Sequence, residues 1–176
     1  IGAIGVVRHY HKALLRAFTL EHGLLGENFD AGEVRHVRRI VDGGHELASH
    51  GYGHQRASDL DENAFFADID ASRKLLEDIS GRQVKGYRAP SFSIGERNLW
   101  AFDCLERAGY LYSSSIYPIR HDHYGMPDAP RFAHKVRGGL VEIPATTSCF
   151  FSRNWPASGG GYFRLMPYAV SRWLLE

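Results

Sequence analysis

Cysteine and net charge are both scarce in this sequence, and each scarcity argues against a class of function. The two cysteines, Cys104 and Cys149, form no CxxC pair, so their spacing indicates neither a thiolate zinc site nor a redox motif. We expect both to be buried free thiols. The formal net charge is only +1, whereas a nucleic-acid partner would favour a clustered basic face, so we predict no nucleic-acid partner.

Long apolar runs are also missing. No stretch reaches the roughly 18 apolar residues that a membrane-spanning helix requires, so no membrane span is predicted. No secretory signal peptide is visible and the chain begins at Ile1, so the sequence assigns no compartment. A chain of 176 residues is long enough for one domain with a sizeable core.

Helical and extended patterns alternate along the chain. Apolar residues at three- and four-residue intervals predict helices over 10–22, 33–42, 96–108 and 167–176, and a further one between a Ser58 or Asp59 cap and Gly81. Short apolar runs predict strands over 1–9, 45–50, 84–88, 110–116 and 140–146. Leu99 is predicted to face the core. Such β-α alternation with right-handed crossovers builds a parallel sheet or barrel.

Two histidines four residues apart, His50 and His54, are candidate metal ligands. The run from His45 to Ser49 predicts a strand that ends at His50, and α/β folds place their chemistry at the carboxyl ends of strands. The four-residue spacing lets one turn of backbone bring the second imidazole beside the first, at the separation that a divalent metal needs. An isolated HxxxH pair also fits two ordinary surface histidines.

A second motif, Gly86 to Phe92 with the sequence GYRAPSF, lies where the next strand should end. A strand with HxxxH, a helix and a strand with RAP together resemble the polysaccharide deacetylases of the NodB-homology class, carbohydrate esterase family 4. Two later stretches, 112–125 and 140–147, resemble the deacetylases encoded beside bacterial exosortase/PEP-CTERM exopolysaccharide systems. The resemblance begins at about Val34. It implies an α/β fold, an incomplete and irregular (β/α) barrel, in a single partial domain over 1–176 that is truncated at both ends.

The resemblance implies an enzyme that holds a divalent metal, expected to be Zn²⁺, and removes N-acetyl groups from a polysaccharide. His50 and His54 match the two metal histidines of the family. The third ligand of that family is an aspartate of an N-terminal Asp-Asp motif, whose neighbouring aspartate is the general base. The stretch 28–32 looks similar, but between Asp30 and His50 there is no room for the strand and helices that should intervene. Neither the third ligand nor the base is identified.

Arg88 and Ser91 match positions of the family's RAP motif. Arg88 corresponds to the arginine that pairs with the base aspartate and keeps it ionised. A structural ion pair at the end of a strand is the alternative interpretation of this arginine. The backbone N–H of Ser91 matches the donor to the oxyanion that forms during amide hydrolysis.

The segment 117–139 has no periodicity and is rich in polar and aromatic residues, which is typical of a functional loop. Four of its residues are candidates to hydrogen-bond to sugars or stack on them: Arg120, His121, Asp122 and Tyr124. The catalytic acid of the family is a late histidine on a strand beyond the end of this chain. We therefore interpret His121, His123 and His134 as residues of a substrate loop.

Two functions of different classes fit these observations. The first is a metal-dependent hydrolase that deacetylates a polysaccharide during exopolysaccharide biosynthesis. The alternative is a non-catalytic carbohydrate- or metal-binding remnant of the same fold. A carboxylate from Asp30, Asp122 or Asp128 within reach of His50 and His54 would favour the enzyme, and an empty coordination position would favour the remnant.

Overall fold

The computed structural model describes residues 31–157 and 167–175. The described helices are α1 (Ala31–Asp42), α2 (Glu62–Ser80), α3 (Trp100–Arg107) and α4 (Tyr168–Leu175). The described strands are β1 (Ala48–Ser49), β2 (Gly86–Tyr87), β3 (Tyr112–Ser113), β4 (His134–Lys135), β5 (Val141–Glu142), β6 (Thr147–Phe150) and β7 (Arg153–Pro156). The elements predicted over 1–9 and 10–22, and Asp30, lie outside the described residues.

The first five strands form one mostly parallel sheet in the order β1-β2-β3-β5-β4. Strands β1, β2, β3 and β5 pair in parallel, and β4 runs antiparallel to β5. Helix α2 connects β1 to β2 and helix α3 connects β2 to β3, so the predicted β-α alternation is confirmed. Over the described ranges the sheet is open, which agrees with the predicted α/β fold of an incomplete barrel.

Helix α2 begins later than the sequence predicts. Its N-cap is Asp61, whose side chain accepts a hydrogen bond from the backbone N–H of Ala64 at 2.8 Å. The predicted caps Ser58 and Asp59 are wrong because they lie in a separate 3₁₀ turn that ends before the helix. The predicted end is confirmed: Gly81 takes the left-handed conformation, with φ 63°, that an L side chain disfavours.

The core forms where the buried face of α2 meets the sheet. Phe65 packs edge-on against Tyr87 of β2, with ring centres 5.9 Å apart, and against Trp100 of α3 at 5.6 Å. Tyr110 donates its hydroxyl proton to the backbone carbonyl of Ile69 at 2.9 Å. The tight contact between α2 and the sheet fixes this helix relative to the ends of the strands.

Other expectations need correction. A 3₁₀ turn over Glu96–Asn98 precedes α3, and Leu99 between them is 37% exposed rather than directed at the core. Cys104 is buried as predicted, but the prediction for Cys149 is wrong, because this residue of β6 is exposed. None of the helices in the described ranges has both the length and the apolar content that crossing a membrane demands.

Candidate metal and substrate site

The carboxyl ends of three neighbouring strands bring the HxxxH and RAP motifs together. Ser49 at the end of β1 pairs with Tyr87 at the end of β2, which pairs in turn with β3. The next residue on each strand is therefore His50, Arg88 or Ser114. The parallel ladder continues here, because Arg88 donates its N–H to Ser49 O and Ser114 to Tyr87 O, both at 2.9 Å.

His50 is held in the tautomer that a metal ligand needs. Its Nδ1 lies 2.7 Å from the carbonyl oxygen of Arg88, and since a carbonyl only accepts, Nδ1 carries the proton and Nε2 keeps its lone pair. Burial lowers the pKa of His50 to about 4, although the bond to Arg88 opposes this shift, and the nearby charges of His54 and Arg88 lower the pKa further. His50 is therefore neutral at neutral pH.

The ring of His54 lies beside that of His50. The ring centres are 5.0 Å apart and the ring planes meet at 66°. With metal–nitrogen bonds of about 2.0–2.1 Å and tetrahedral angles, two coordinating imidazoles place their centres roughly 5 Å apart. The separation of the two rings therefore fits a shared divalent metal.

A third ligand is not found in the part of the chain that the structure describes. Over these residues, no group of three His, Cys, Asp or Glu side chains is placed to hold a metal ion. Asp122 and Asp128 are exposed in the predicted substrate loop and do not join the histidine pair. The two histidines fit two positions of a metal site, and the described ranges place no third protein ligand beside them.

The side chain of Arg88 is fixed at the carboxyl end of β2. Its Nε donates to Ser114 O at 2.8 Å and its Nη2 to Ser114 Oγ at 2.7 Å. The guanidinium also lies over the ring of Phe92, 5.5 Å from the ring centre. Its side chain is thus oriented by its neighbour on β3, and its backbone carbonyl orients His50.

The turn after Pro90 exposes Ser91. Both Ser91 and Phe92 have left-handed backbones, with φ 55° and 50°. The N–H of Phe92 donates to Ala89 O and that of Ser93 to Pro90 O, both at 3.2 Å, whereas the N–H of Ser91 has no recorded acceptor among the described residues. This N–H is available to a ligand oxygen.

Aromatic rings connect this turn to the predicted substrate loop. Phe92 contacts Tyr117 and Tyr124, with ring centres 5.0 and 5.9 Å apart. Tyr124 stacks on His121 with ring centres 3.8 Å apart and planes 9° from parallel. Two of the four predicted substrate residues, His121 and Tyr124, are thereby brought beside the turn that follows the RAP sequence, which we call the RAP turn.

The other predicted loop residues are more dispersed. Arg120 and Asp122 are exposed, and over the described ranges no hydrogen bond or ion pair is recorded that joins either of them to the histidine pair. His123 donates its backbone N–H to His121 Nδ1 at 3.2 Å. His134 lies in β4, opposite Glu142 of β5, and so belongs to the sheet rather than to an irregular loop.

Comparison with known proteins gives the family. The family model for polysaccharide deacetylases matches residues 19–112, more than half of the chain. The chain belongs to the polysaccharide deacetylase family. A second model, described as a domain of unknown function (DUF3473), matches residues 114–176. The sheet crosses the boundary between these matches, because Tyr112 of β3 pairs with Val141 of β5.

Three known proteins are similar to this chain. A peptidoglycan deacetylase-like protein, FGM2 of Gibberella zeae, is 35% identical over 80 residues, which are 46% of this chain and 23% of that protein. A crystal structure of a Mycobacterium smegmatis protein assigned to the polysaccharide deacetylases is 28% identical, with a TM-score of 0.52 over 76% of this chain and 44% of that one. A family 4 carbohydrate esterase pseudoenzyme from Bacillus anthracis is 15% identical, with a TM-score of 0.43 over 57% of this chain and 36% of that one. This chain therefore spans less than half the length of each of these relatives.

Asp68 on α2 contacts the candidate site but belongs to no motif of the sequence. Its carboxylate accepts hydrogen bonds from the backbone N–H groups of Tyr52 and Gly53, inside the HxxxH motif. The available signal is weak, since an acidic residue within a helix is common, but the glycines of the motif do indicate a close approach by some neighbour.

Proposed function

We propose that this chain carries part of the site of a metal-dependent polysaccharide deacetylase, which hydrolyses the N-acetyl groups of a polysaccharide. The observation that supports the proposal best is the neutral His50, whose Nδ1 bonds to the Arg88 carbonyl and whose ring centre lies 5.0 Å from that of His54. Such a pair fits a divalent metal. The activity of the whole protein is inferred from its family, because the chain covers only part of its relatives.

His50 and His54 would hold the metal, for which Zn²⁺ is the expected ion. A bound divalent metal supplies Lewis acidity, which lowers the barrier to amide hydrolysis. The buried His50 stays neutral at neutral pH, so it can bind the metal without first losing a proton. The third ligand of the family, an aspartate, is not found among the described residues.

The RAP turn supplies the groups that we assign to the reacting amide. The backbone N–H of the exposed Ser91 would donate to the oxyanion that develops on the acetyl carbonyl oxygen. Arg88 would hold a neighbouring carboxylate ionised by its positive charge, as the family's arginine does for the base. The two hydrogen bonds from its guanidinium to Ser114 support a fixed orientation for this task.

The stacked rings beside the RAP turn are assigned to the polysaccharide. Sugar rings have apolar faces of C–H groups, which pack on aromatic rings, and His121 is the exposed end of the stack that continues through Tyr124. Arg120 and Asp122 flank His121 in sequence and are exposed, so they would hydrogen-bond to sugar hydroxyls. A role in exopolysaccharide biosynthesis, in the exosortase-associated branch, is proposed from the motifs over 112–125 and 140–147.

The second candidate is a non-catalytic carbohydrate- or metal-binding remnant of the fold. One observation favours it: over the described ranges the histidine pair has no third ligand. Because only the first candidate turns over a substrate, metal content and acetate release measured together separate the two.

The experiment measures the metal content of the purified chain and of His50→Ala and His54→Ala, with His36→Ala as the control. His36 is an exposed histidine on α1, away from both motifs. We expect about one zinc per chain in the wild type and in the control, and none above background in the other two. Acetate release from N-acetylated oligosaccharides is then assayed on the loaded protein. A wild-type chain that binds no metal would contradict the proposal. Stoichiometric metal without acetate release would favour the remnant.

A further inference from the structure

Helix α2 holds the backbone of the histidine loop, residues 50–54. Three consecutive N–H groups of this loop donate to side chains rather than to other backbone atoms. They are Gly51 N–H to Ser49 Oγ at 3.2 Å, Tyr52 N–H to Asp68 Oδ2 at 2.9 Å, and Gly53 N–H to Asp68 Oδ1 at 2.7 Å. The conformation of the loop thus depends on a residue from a separate element.

A second residue of α2 supports the same loop. Ser72, one helical turn after Asp68, places its Oγ 2.8 Å from the Oγ of Ser49, and both serines are buried. Ser49 in turn accepts from Gly51, so the two successive turns of α2 reach all three N–H groups. These bonds are shielded from water on the Ser72 side, where competition from solvent is weakest.

The glycines of the motif make room for Asp68. Gly51 has φ +88°, and a Cβ placed there would lie 2.7 Å from Asp68 Oδ2, inside the normal contact distance. A Cβ at Gly53 would lie 3.3 Å from Asp68 Oδ1, which is also tight. The two glycines of HGYGH are therefore needed for the carboxylate of Asp68 to reach the loop.

Asp68 is not itself grouped with the histidines as a ligand. Its two oxygens each accept a backbone N–H, and the part of the chain that the structure describes has no metal-binding group of three side chains. His54 follows the held N–H groups directly and has a left-handed backbone, with φ 51°. The direction of its side chain therefore depends on the conformation of the preceding loop.

We propose that Asp68, together with Ser72, is a positioning residue that fixes His54 against His50. The functional role of this positioning rests on the proposed metal site, but the hydrogen bonds that produce it are present in the metal-free chain. Two ligands that are already held in place bind a metal more tightly than two that must be ordered when the metal binds. The entropic cost of ordering them has then been met during folding. Loss of Asp68 should therefore loosen the pair before any metal is added.

The first test uses the metal-free 176-residue chain with Asp68→Asn, and Asp70→Asn as the matched control. Asp70 lies on the same helix and binds Lys74 at 2.6 Å, away from the histidine loop. In Asp68→Asn we expect about tenfold faster amide hydrogen exchange at Tyr52 and Gly53, because the amide side chain offers only one acceptor. We also expect loss of the nuclear Overhauser contact between the two histidine rings. The control should change neither signal.

The second test measures zinc affinity by competition with a chelator. Asp68→Asn should weaken zinc binding by about 10–100-fold, which is the usual effect of removing a residue that orients a metal ligand. The zinc affinity of Asp70→Asn should stay within about twofold of the wild type. Ser72→Ala should weaken it less, in the same direction. If Asp68→Asn loses the exchange protection of α2, it has not folded, and Ser72→Ala decides the test.

The outcomes separate this proposal from the proposed function. Unchanged exchange and an intact ring contact in Asp68→Asn would overturn the positioning role, and so would a zinc affinity equal to that of the wild type. If the ring contact is lost in Asp68→Asn but the wild type binds no zinc, Asp68 positions the pair as proposed and the metal function fails.

Discussion

Replacing Arg88 with lysine should destabilise the fold by about 2 kcal/mol. The guanidinium donates two hydrogen bonds to Ser114, at 2.8 and 2.7 Å, from a partly buried position. Hydrogen bonds to a charged group contribute about 1.5–3 kcal/mol each, and an ammonium group can replace only one of the two in this fork geometry. For a chain of this size the change corresponds to a fall of about 4–8 °C in Tm.

The assay is urea unfolding of Arg88→Lys, Ser114→Ala and the double variant. Ser114→Ala removes the Oγ acceptor alone, at an expected cost of about 1 kcal/mol, so the pair should show a coupling energy of about 0.5–3 kcal/mol. Arg82→Lys, at an exposed position, is the matched control and should change stability by less than about 0.5 kcal/mol. The reasoning is refuted if Arg88→Lys behaves like Arg82→Lys, or if the coupling energy is zero.

Three further predictions concern the core and the helices. Burial raises the pKa of Glu142 above 4.5, so the native chain holds that proton more tightly than the unfolded chain. The stabilisation is complete below 4.5 and is lost as the pH rises through the raised pKa, and Glu142→Gln should flatten this slope in urea midpoints measured from about pH 4 to 8. Gly86→Ala should cost about 1–3 kcal/mol in thermal unfolding, because the added Cβ would overlap the Tyr112 ring; an unchanged Tm would contradict the packing. Asp61→Ala should cost about 1 kcal/mol as the loss of a helix cap, whereas Asp59→Ala should cost little; equal urea midpoints for the two variants would show that Asp61 is not the cap.

The helices could be read from the sequence because their signals are local. The predicted helix over 33–42 is α1. On α2 the apolar residues at helical spacing include Phe65, Ile69 and Leu76, which are buried, and Ile79, which is partly buried. An apolar face at helical spacing and a terminal glycine are sufficient, since each i to i+4 hydrogen bond lies within the same segment. The prediction was wrong at the start of α2, where the N-cap is Asp61 rather than Ser58 or Asp59.

The positions of the strands could be predicted from the sequence, but their lengths could not. Of the strand predicted over 45–50, only Ala48–Ser49 is a strand, and of the one over 110–116, only Tyr112–Ser113. The length of a ladder depends on partners that are remote in sequence, which periodicity does not report. The hairpin of β6 and β7 was missed because Phe151 and Ser152 occupy the turn with positive φ, where Gly or Asn is expected.

The two motifs of the candidate site could be predicted from the sequence, but the contacts that other segments make with them could not. The HxxxH and RAP motifs are short and local, so the resemblance to the family could be read from them, and that resemblance makes His50, His54 and Arg88 candidate site residues. The contacts of Asp68 with the histidine loop, and of Phe92 with Tyr124, join segments whose spacing carries no pattern. No rule of composition could have found them.

The sequence by itself determined the helical segments, the order of strands and helices along the chain, and the residue types of the two motifs. These follow from propensity, periodicity and local spacing, which act over a few residues. Only the tertiary structure decided that β1, β2 and β3 end side by side, so that His50 meets the Arg88 carbonyl and Arg88 meets Ser114. The reason is physical: the register of a parallel sheet is set by the packing of helices across it, and packing is a property of the whole fold.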